Sequence, residues 1–549
     1  MPSRFQPLLL FALGLAFGAV FAAPVASALS SQALGAECGP ASQELWALWH
    51  SIADSSAGGL GFPGLDALPT IAAPTIWIAS QALAQVGIEP IASWNALFGV
   101  AYVVLTLGCI SLGRRISPNS PFIAQLALLI AVVGCASWSP LLRQVGASII
   151  PMMLVPMVLA QVHAWMQPDA HWRHGVAAAA LFVAACLGSW GTSALVMLMT
   201  PTFAVVLGQR IEGHQARRRI AGALAPGLAA GCIHVALTHT EIRPLVVDAA
   251  ALGPAWMTYA KGALVLPATA AVALPSLGIL LLALAGIASR PHITVGWLLT
   301  ATWGILLAAA TTSPALPVVH LADAFPPLAE MEAWWAVAPL VSIPLGIAAM
   351  RGVEALHRAQ RDTLAMGVLA LALLDQTIPL LTPTGPQRFS VAPPASLVEA
   401  LRALPNGGVL QLPQTPLDCA QQDKLRLWQP IIGRPVSTAA WNGSDGAEPV
   451  SYIARLAREL ATAPPRRASH EAALGPPTFQ CAVQDIFTLR DIGFAAVTMD
   501  KSAEAHPALM EGLRMVLGEP AAEDALMAVW SLVDAEPGDR GTPCPLPPR

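Results

Sequence analysis

The stretch Trp94–Leu112, WNALFGVAYVVLTLGCISL, decides how this chain folds. It holds no charged residue and stops at Gly113-Arg114-Arg115. The hydrocarbon core of a bilayer takes about 20 apolar residues of helix, and in lipid only helices or closed barrels satisfy their own backbone. Ten further stretches read the same way: Gln6–Leu29, Phe122–Trp138, Val145–Trp165, Gly175–Trp190, Ser193–Leu207, Ile220–Leu237, Pro267–Ile287, Ile293–Ala310, Trp335–Met350 and Leu364–Leu381. The expectation is an all-α polytopic membrane domain of about 11 transmembrane helices over residues 1–381.

Arginine orients it. With the N-terminus in the cytoplasm, the inner loops receive Arg4, Arg114, Arg115, Arg173, Arg210, Arg217, Arg218, Arg219, Arg290, Arg351, Arg358 and Arg361. The outer loops receive only Arg143, Arg243 and Lys261. Basic residues in short loops mark the cytoplasmic side, so the N-terminus is expected inside and everything after Leu381 outside. Two stretches test the count. Arg4, an apolar run and Ala26-Ser27-Ala28 also fit a cleaved signal peptide; cleavage leaves ten spans and the same orientation. Thr70–Ile88 is apolar, but a span there reverses every later loop, and its Gln81, Gln85 and Pro74 suit a helix lying in the interface.

Composition agrees with a membrane protein. Hydrophobic residues make up 55% and charged residues 11% of the 549, against roughly 25% charged in soluble domains. The net charge of −4 gives no nucleic-acid footprint. Lysine is nearly absent (Lys261, Lys424, Lys501) while arginine and alanine abound, the usage of a GC-rich bacterial genome and hence of a bacterial inner membrane.

The organisation is two-part. A large outer, periplasmic loop spans residues 30–92 of the membrane domain, and a Pro-rich connector (Pro379, Pro383, Pro386, Pro393, Pro394) leads to residues 382–549. That tail is long enough for a core of its own. It alternates runs suited to strands (Gly408–Leu412, Phe494–Thr498, Met527–Leu532) with helical patterns (Pro449–Ala461, Ala505–Leu517), the pattern of a small soluble α/β domain. Cys109, Cys135, Cys186 and Cys232 fall in spans, where a thiol is a small hydrophobe. Cys38, Cys419, Cys481 and Cys544 fall outside, in an oxidising compartment; they allow three pairings, of which Cys419–Cys481 is favoured because Cys544 sits near the chain end. No cysteine pair has zinc-site spacing, and His171 with His174 lacks a third ligand, so no metal centre is expected from the ligands themselves.

Candidate chemistry lies at the outer face. The first outer loop holds Glu37, Glu44, Asp54 and Asp66 among Trp46, Trp49, His50 and Trp77. Aromatic-lined acids suit a site for a sugar or lipid head group, and interfacial tryptophan belts explain the same aromatics. Arg143, Arg243 and Lys261 run against the charge bias, so each needs a reason; a lipid phosphate is one, and snorkelling to anionic lipid is the other. Asp375 is the one acid within a span, which marks it either as functional or as wet, at a span end.

Several short motifs carry a resemblance: Glu44-Leu45-Trp46-Ala47-Leu48-Trp49, Gly61-Phe62-Pro63-Gly64 with Asp66, Ser93-Trp94-Asn95-Ala96-Leu97, Trp138-Ser139-Pro140, Leu316-Pro317 and Phe325-Pro326. In the tail they are Gly408-Val409-Leu410-Gln411-Leu412-Pro413, Gly433-Arg434-Pro435-Val436, Asp491-Ile492-Gly493-Phe494 and Leu517-Gly518-Glu519-Pro520. In this order they resemble bacterial GT-C-type membrane glycosyltransferases, in a divergent branch with a C-terminal periplasmic domain. The resemblance implies transfer of a sugar from a polyprenyl-phosphate carrier to an acceptor at the outer face, with inversion. That chemistry needs a carboxylate base on the acceptor hydroxyl and cationic groups or a divalent metal on the leaving phosphate. Glu44, Glu37 and Asp66 are the candidate bases, with Asp54 and Asp375 behind them; Arg143, Arg243 and Lys261 are the candidate phosphate ligands. One departure stands out. The spot just before Leu45-Trp46, where the family's key acid is expected, reads Gly39-Pro40-Ala41-Ser42, flanked by Glu37 and Glu44. A non-catalytic envelope protein whose outer domain binds a partner fits that departure. A transporter fits less, because ionisable residues near the midplane and internal repeats are lacking.

Overall fold

The computed structural model describes residues 5–22, 32–34, 45, 78–79, 82–83, 85–133, 150, 153–187, 213–238, 276–289, 296–302, 338–381, 388–390, 393–412, 427–428, 431–432, 434, 436–437, 490, 494–501, 510, 513–514 and 517–532. Nine of its helices fall on predicted spans: α1 (Gln6–Ala22), α2 (Pro90–Ile116), α3 (Phe122–Val132), α4 (Val155–Trp165), α5 (Trp172–Cys186), α6 (Gly213–Thr238), α7 (Leu277–Ser289), α8 (Ala338–Arg358) and α9 (Asp362–Leu381). Residues 296–302 of the predicted Ile293–Ala310 span are also helical. The predicted Ser193–Leu207 span lies outside the described residues.

The local chemistry of α2 explains its bounds. Pro90 at the first position has its φ pre-set for a helix and no N–H to leave unpaired, and the helix stops at Ser117, whose N–H donates to the Gly113 carbonyl at 2.9 Å. Trp94, Phe98, Leu105 and Leu112 are completely or almost completely buried along one face. Among the described residues, Ile91–Ile116 is the one helix both long and apolar enough to cross a bilayer by itself. Other helices show the lipid preference in their faces. In α9, Leu371 is 64% and Leu374 58% exposed, whereas Gln376 is wholly buried. A helix that hides its amide and shows its leucines is built for an apolar surrounding.

Small residues let these helices approach closely, as packing without a hydrophobic driving force requires. A Cβ on Gly286 of α7 would overlap the Ala348 carbonyl oxygen of α8, and one on Gly352 of α8 would overlap the Leu282 carbonyl oxygen of α7. Gly278 sets α7 against Val368 and Ala372 of α9, and Gly108 sets α2 against Pro156 and Met157 of α4. Further pairs are α1 with α2, α3 with α8, α4 with α5 and α5 with α6.

One expectation is corrected at the end of α8. The apolar run ends at Met350, which placed Arg351 and Glu354 in an inner loop. The helix instead continues to Arg358, and both residues are buried. Their mutual ion pair at 2.7 Å removes the charge that made a loop the expected setting.

The chain divides into two compact units, Met1–Glu44 with Thr70–Phe389, and Leu45–Pro69 with Ser390–Arg549. The first also contains a two-stranded sheet of β1 (Gln32–Leu34) and β2 (Arg388–Ser390), the last residue of which opens the second unit. The second is α/β. It holds α10 (Ala395–Ala403), β3 (Gly408–Leu412), β4 (Val436–Ser437), β5 (Phe494–Asp500), β6 (Ala522–Glu523) and β7 (Met527–Ser531). The sheet runs β4-β3-β5-β7-β6. β3 is parallel to β4 and β5, with Val409 opposite Ala496, whereas β7 is antiparallel to β5, with Val497 opposite Trp530. Strands β3, β5 and β7 start at the residues where apolar runs predicted them, and all five residues of β3 are buried. Such continuous burial is what central strands of a parallel sheet require. Leu397 and Leu401 of α10 complete a core with Val409, Trp428, Val436, Ala496 and Val529. The helix predicted at Pro449–Ala461 lies outside the described residues, and of Ala505–Leu517 only residues 510, 513–514 and 517 are described, all helical.

Candidate functional site

Of the candidate residues, Glu37, Glu44, Asp54, Asp66, Arg143, Arg243 and Lys261 lie outside the described residues, as do Cys38, Cys419, Cys481 and Cys544. Cys109 and Cys186 are buried. What the structure does describe is the root from which the acid-bearing loop departs. There, β1 follows the first helix, pairs with β2 and packs on α2. Ala33 is completely buried, and the Asn95 side-chain amide donates to the Gln32 carbonyl at 2.9 Å. Asn95 is itself held firmly: it is 5% exposed and follows Trp94, which is fully buried and stacks edge-on against Phe98 at 5.3 Å. In the preceding turn the Ser93 hydroxyl donates to the Ile88 carbonyl. The Ser93-Trp94-Asn95-Ala96-Leu97 motif is thus the anchor of β1. Sequence reading noticed the motif but gave Asn95 no role; a polar residue at the start of an otherwise apolar span was the available signal.

Asp375 has a structural partner. Its half-buried carboxylate accepts the Leu277 N–H at 3.3 Å, and the Ser276 hydroxyl accepts that of Ile279 at 3.3 Å. The first N–H groups of a helix have no partner within the helix, and oxygen acceptors there are favoured by both hydrogen bonding and the helix dipole. The acid in span eleven therefore caps the start of α7 from a neighbouring helix.

A second polar group ties α8 to the end of α2. One Arg351 nitrogen donates to Glu354 Oε2 at 2.7 Å and to Ser117 Oγ at 3.1 Å; the other donates to the Ile116 carbonyl at 3.2 Å. The Ser117 hydroxyl donates to Glu354 Oε1 at 2.5 Å. A cation on the last carbonyls of a helix meets the negative end of its dipole. Arg219 of α6 treats α4 likewise, donating to the carbonyls of Trp165, Gln167 and Pro168 while its guanidinium lies 5.1 Å over the Trp165 ring. His171 accepts from the Arg173 N–H at the start of α5, and His174 pairs with Gln161 at 2.9 Å. Partial burial, then the nearby charge of Arg115 and His171, push the His174 pKa below the usual histidine value. The two histidines thus have separate local partners. Among the described residues no three His, Cys, Asp or Glu side chains come together. These contacts gather Arg115, Arg173, Arg219 and Arg351 at one end of the first unit.

In the second unit the motifs of the resemblance resolve into packing. Arg434, nearly buried, donates to the Leu404 and Pro405 carbonyls that follow α10, and burial depresses its pKa. Gly518 takes φ +78°, a conformation that favours glycine, and its carbonyl accepts the Trp530 indole N–H at 3.0 Å. Gln411 and Thr498, on adjacent central strands, bond to each other in the interior. At one sheet edge Glu523 bridges Lys501 at 2.6 Å and Arg514 at 2.7 Å, and those two hydrogen bonds hold its pKa below the usual carboxylate value. The neighbouring Asp524 accepts from the Ser396 hydroxyl and from the Met527 and Leu526 N–H groups, which likewise depress its pKa.

No protein-family model matches the chain, and no curated protein matches it in sequence. Solved structures do match in shape. Two single-particle structures of the arabinofuranosyltransferase AftD from Mycobacteria, one of a mutant, align over 96% of this chain, at TM-scores of 0.54 and 0.51 and identities of 14% and 13%. This chain spans about two fifths of theirs, 42% and 40%. The apo oligosaccharyltransferase of Archaeoglobus fulgidus aligns over 91% of this chain and 70% of its own, with TM-score 0.49 and 10% identity. The AftD likeness, at this low identity, shows that the chain shares a fold with that arabinofuranosyltransferase.

Proposed function

We propose that this protein is a membrane glycosyltransferase that moves a sugar from a polyprenyl-phosphate carrier to an acceptor at the outer face of the inner membrane. The likeness to AftD over nearly the whole chain is the observation that carries the reading, together with the motif order in the sequence. The arginine distribution supports eleven spans, a cytoplasmic N-terminus and a periplasmic tail. In this reading Glu44 takes the proton of the acceptor hydroxyl as the oxygen attacks the anomeric carbon, and the bond to the carrier phosphate breaks. Glu37 and Asp66 are the alternative bases, and Arg143, Arg243 and Lys261 stabilise the departing phosphate.

The test uses the full-length protein in nanodiscs with radiolabelled undecaprenyl-phosphate-linked pentoses and hexoses and an envelope extract as acceptor. Wild type transfers label; Glu44→Gln loses about 10²–10⁴ in rate, the usual contribution of a general base, and still binds the carrier. A loss well under tenfold rules Glu44 out. Glu37→Gln separates the two acids that flank Gly39-Pro40-Ala41-Ser42. Full activity in both variants moves the base to Asp54 or Asp66, and absence of transfer by the wild type with every donor overturns the reading.

A further inference from the structure

We propose that the arginine-rich end of the first unit is a docking surface for the head groups of anionic phospholipids. The inference is independent of the glycosyltransferase reading. Three helix ends build the surface, and one ring holds them together. The Trp165 indole, at the end of α4, lies against Gly175 of α5, where a Cβ would overlap the ring, and 5.1 Å from the Arg219 guanidinium of α6. Its Nε1 donates to the Arg219 carbonyl at 2.9 Å. The end of α2 adjoins them, because Arg115 is close enough to His174 of α5 for its charge to act on that ring. The platform is thus fixed before any lipid arrives, which lowers the ordering cost of binding.

Its charge is one-sided. Residues 105–120, 161–175 and 213–222 carry Arg114, Arg115, Arg173, Arg217, Arg218 and Arg219 against a single acid, Asp169. Arg219 is committed to the carbonyls of Trp165, Gln167 and Pro168. Arg114, Arg173, Arg217 and Arg218 are exposed instead, and among the described residues no carboxylate pairs with them. A basic cluster between membrane helices suits a lipid phosphate, which accepts several guanidinium hydrogen bonds. Trp172 sets the depth. It is 61% exposed, and Val176, on the same face one turn along α5, is 56% exposed. Indole followed by valine matches the passage from head groups to acyl chains, where tryptophan is enriched. Arg173 adjoins Trp172 in the chain, which places charge at head-group level. A soluble acidic partner accounts for the arginines but not for the apolar step beside them.

The test uses the full-length protein in phosphatidylcholine nanodiscs doped with spin-labelled cardiolipin, phosphatidylglycerol or phosphatidylcholine. The motionally restricted fraction of label gives each lipid's relative association constant. An arginine near an anionic surface contributes about fivefold, and salt screens it. Wild type should therefore prefer cardiolipin to phosphatidylcholine by on the order of tenfold or more. Arg173→Gln should lower that preference about fivefold, and Arg217→Gln with Arg218→Gln should abolish it. Arg402→Gln, an exposed arginine of α10, should leave it unchanged. These side chains are exposed, so the unfolding midpoint in zwitterionic micelles should not move; a matching loss of stability makes the effect one of folding and overturns the proposal. The emission lost in Trp172→Phe should be emission that lipids brominated near the head group quench in wild type. Equal affinity for anionic and zwitterionic lipid in wild type overturns the proposal and assigns the arginines to a soluble partner. An equal loss in Arg402→Gln overturns it as general charge attraction. Displacement of the labelled lipid by soluble glycerol phosphate overturns it in favour of a free-phosphate site, and emission from Trp172 that escapes the brominated lipids removes the depth argument and the membrane surface with it.

Discussion

Glu354→Gln should destabilise the membrane domain more than any surface change, and the reason is visible in the burial of its partner. Arg351 is 8% exposed and Glu354 9%, so neither charge has bulk water to fall back on. With a neutral amide at 354 the guanidinium loses its counter-charge and has only neutral acceptors, the Gln amide oxygen, the Ser117 hydroxyl and the Ile116 carbonyl. Its Nε has no partner even in the wild type. Removing one member of a buried ion pair typically costs 3–5 kcal/mol, because the other charge is left uncompensated. The polar neighbours put this site at the lower end, about 3 kcal/mol, roughly a hundredfold in the unfolding equilibrium. The informative comparison is Arg351→Met with Glu354→Leu. Replacing a buried pair by apolar groups of similar volume is often neutral, so the double variant should lie within about 1 kcal/mol of wild type. The assay is denaturant unfolding of purified protein in detergent micelles, followed by tryptophan emission. If the single variant costs under about 1 kcal/mol, the pair is effectively solvated. If the double variant is as unstable as the single, the loss comes from packing and the electrostatic account is wrong.

Three further outcomes follow from the same structure. Gly352→Ala puts a methyl group onto the Leu282 carbonyl; α7 and α8 must separate, at a cost of about 1–3 kcal/mol by the measure of overpacked cores, whereas Gly99→Ala, with open space around it, should be neutral in the same unfolding assay. In the second unit, Glu523 and Asp524 have folded pKa values below their ordinary ones, so their contribution to stability is complete above the unfolded values near pH 4 and is lost as pH falls further. Protection against exchange at residues 521–531, taken relative to the intrinsic rate at each pH, should therefore fall below about pH 4, and Asp524→Asn should flatten that dependence; a pH-independent protection in the wild type contradicts it. A periplasm-dependent reporter fused after Gln387 should be active, and one fused within Gly213–Arg219 inactive; reversal of either result removes the arginine argument for orientation.

Much of the architecture could be read from residues alone, for a reason particular to the solvent. Apolar length is nearly sufficient to find a helix in lipid, so nine of the predicted spans hold a described helix, and α2 differs only by four residues at each end (Trp94–Leu112 against Pro90–Ile116). The strands of the tail were legible because β3, β5 and β7 are buried along most of their length and therefore apolar throughout. Partnership was not legible. Arg351 and Glu354 read as a loop because pairing between residues three apart on a helix is invisible to a count of charges. Asp375 read as a stray intramembrane acid because its partner, the Leu277 N–H, is 98 positions away. Asn95 read as part of a motif because its acceptor is a main-chain oxygen 63 positions earlier, and a main-chain acceptor leaves no trace in side-chain identity.

These partnerships share one physical logic, which separates the scaffold from the chemistry proposed for it. Arg351, Arg219, Asp375 and Asn95 each spend their polar atoms on backbone groups of another element: helix ends at Ile116 and Trp165, a helix start at Leu277, a strand at Gln32. In an apolar surrounding an unpaired backbone group is expensive, so conserving a helix end or a strand edge takes a side chain from elsewhere. The polar atoms bonded in this way are committed to the fold. A scaffold whose charges are consumed internally also explains how motif likeness can be so thin. What AftD and this chain share at 14% identity is a fold, and apolar helices held together by small residues are a requirement that many sequences satisfy.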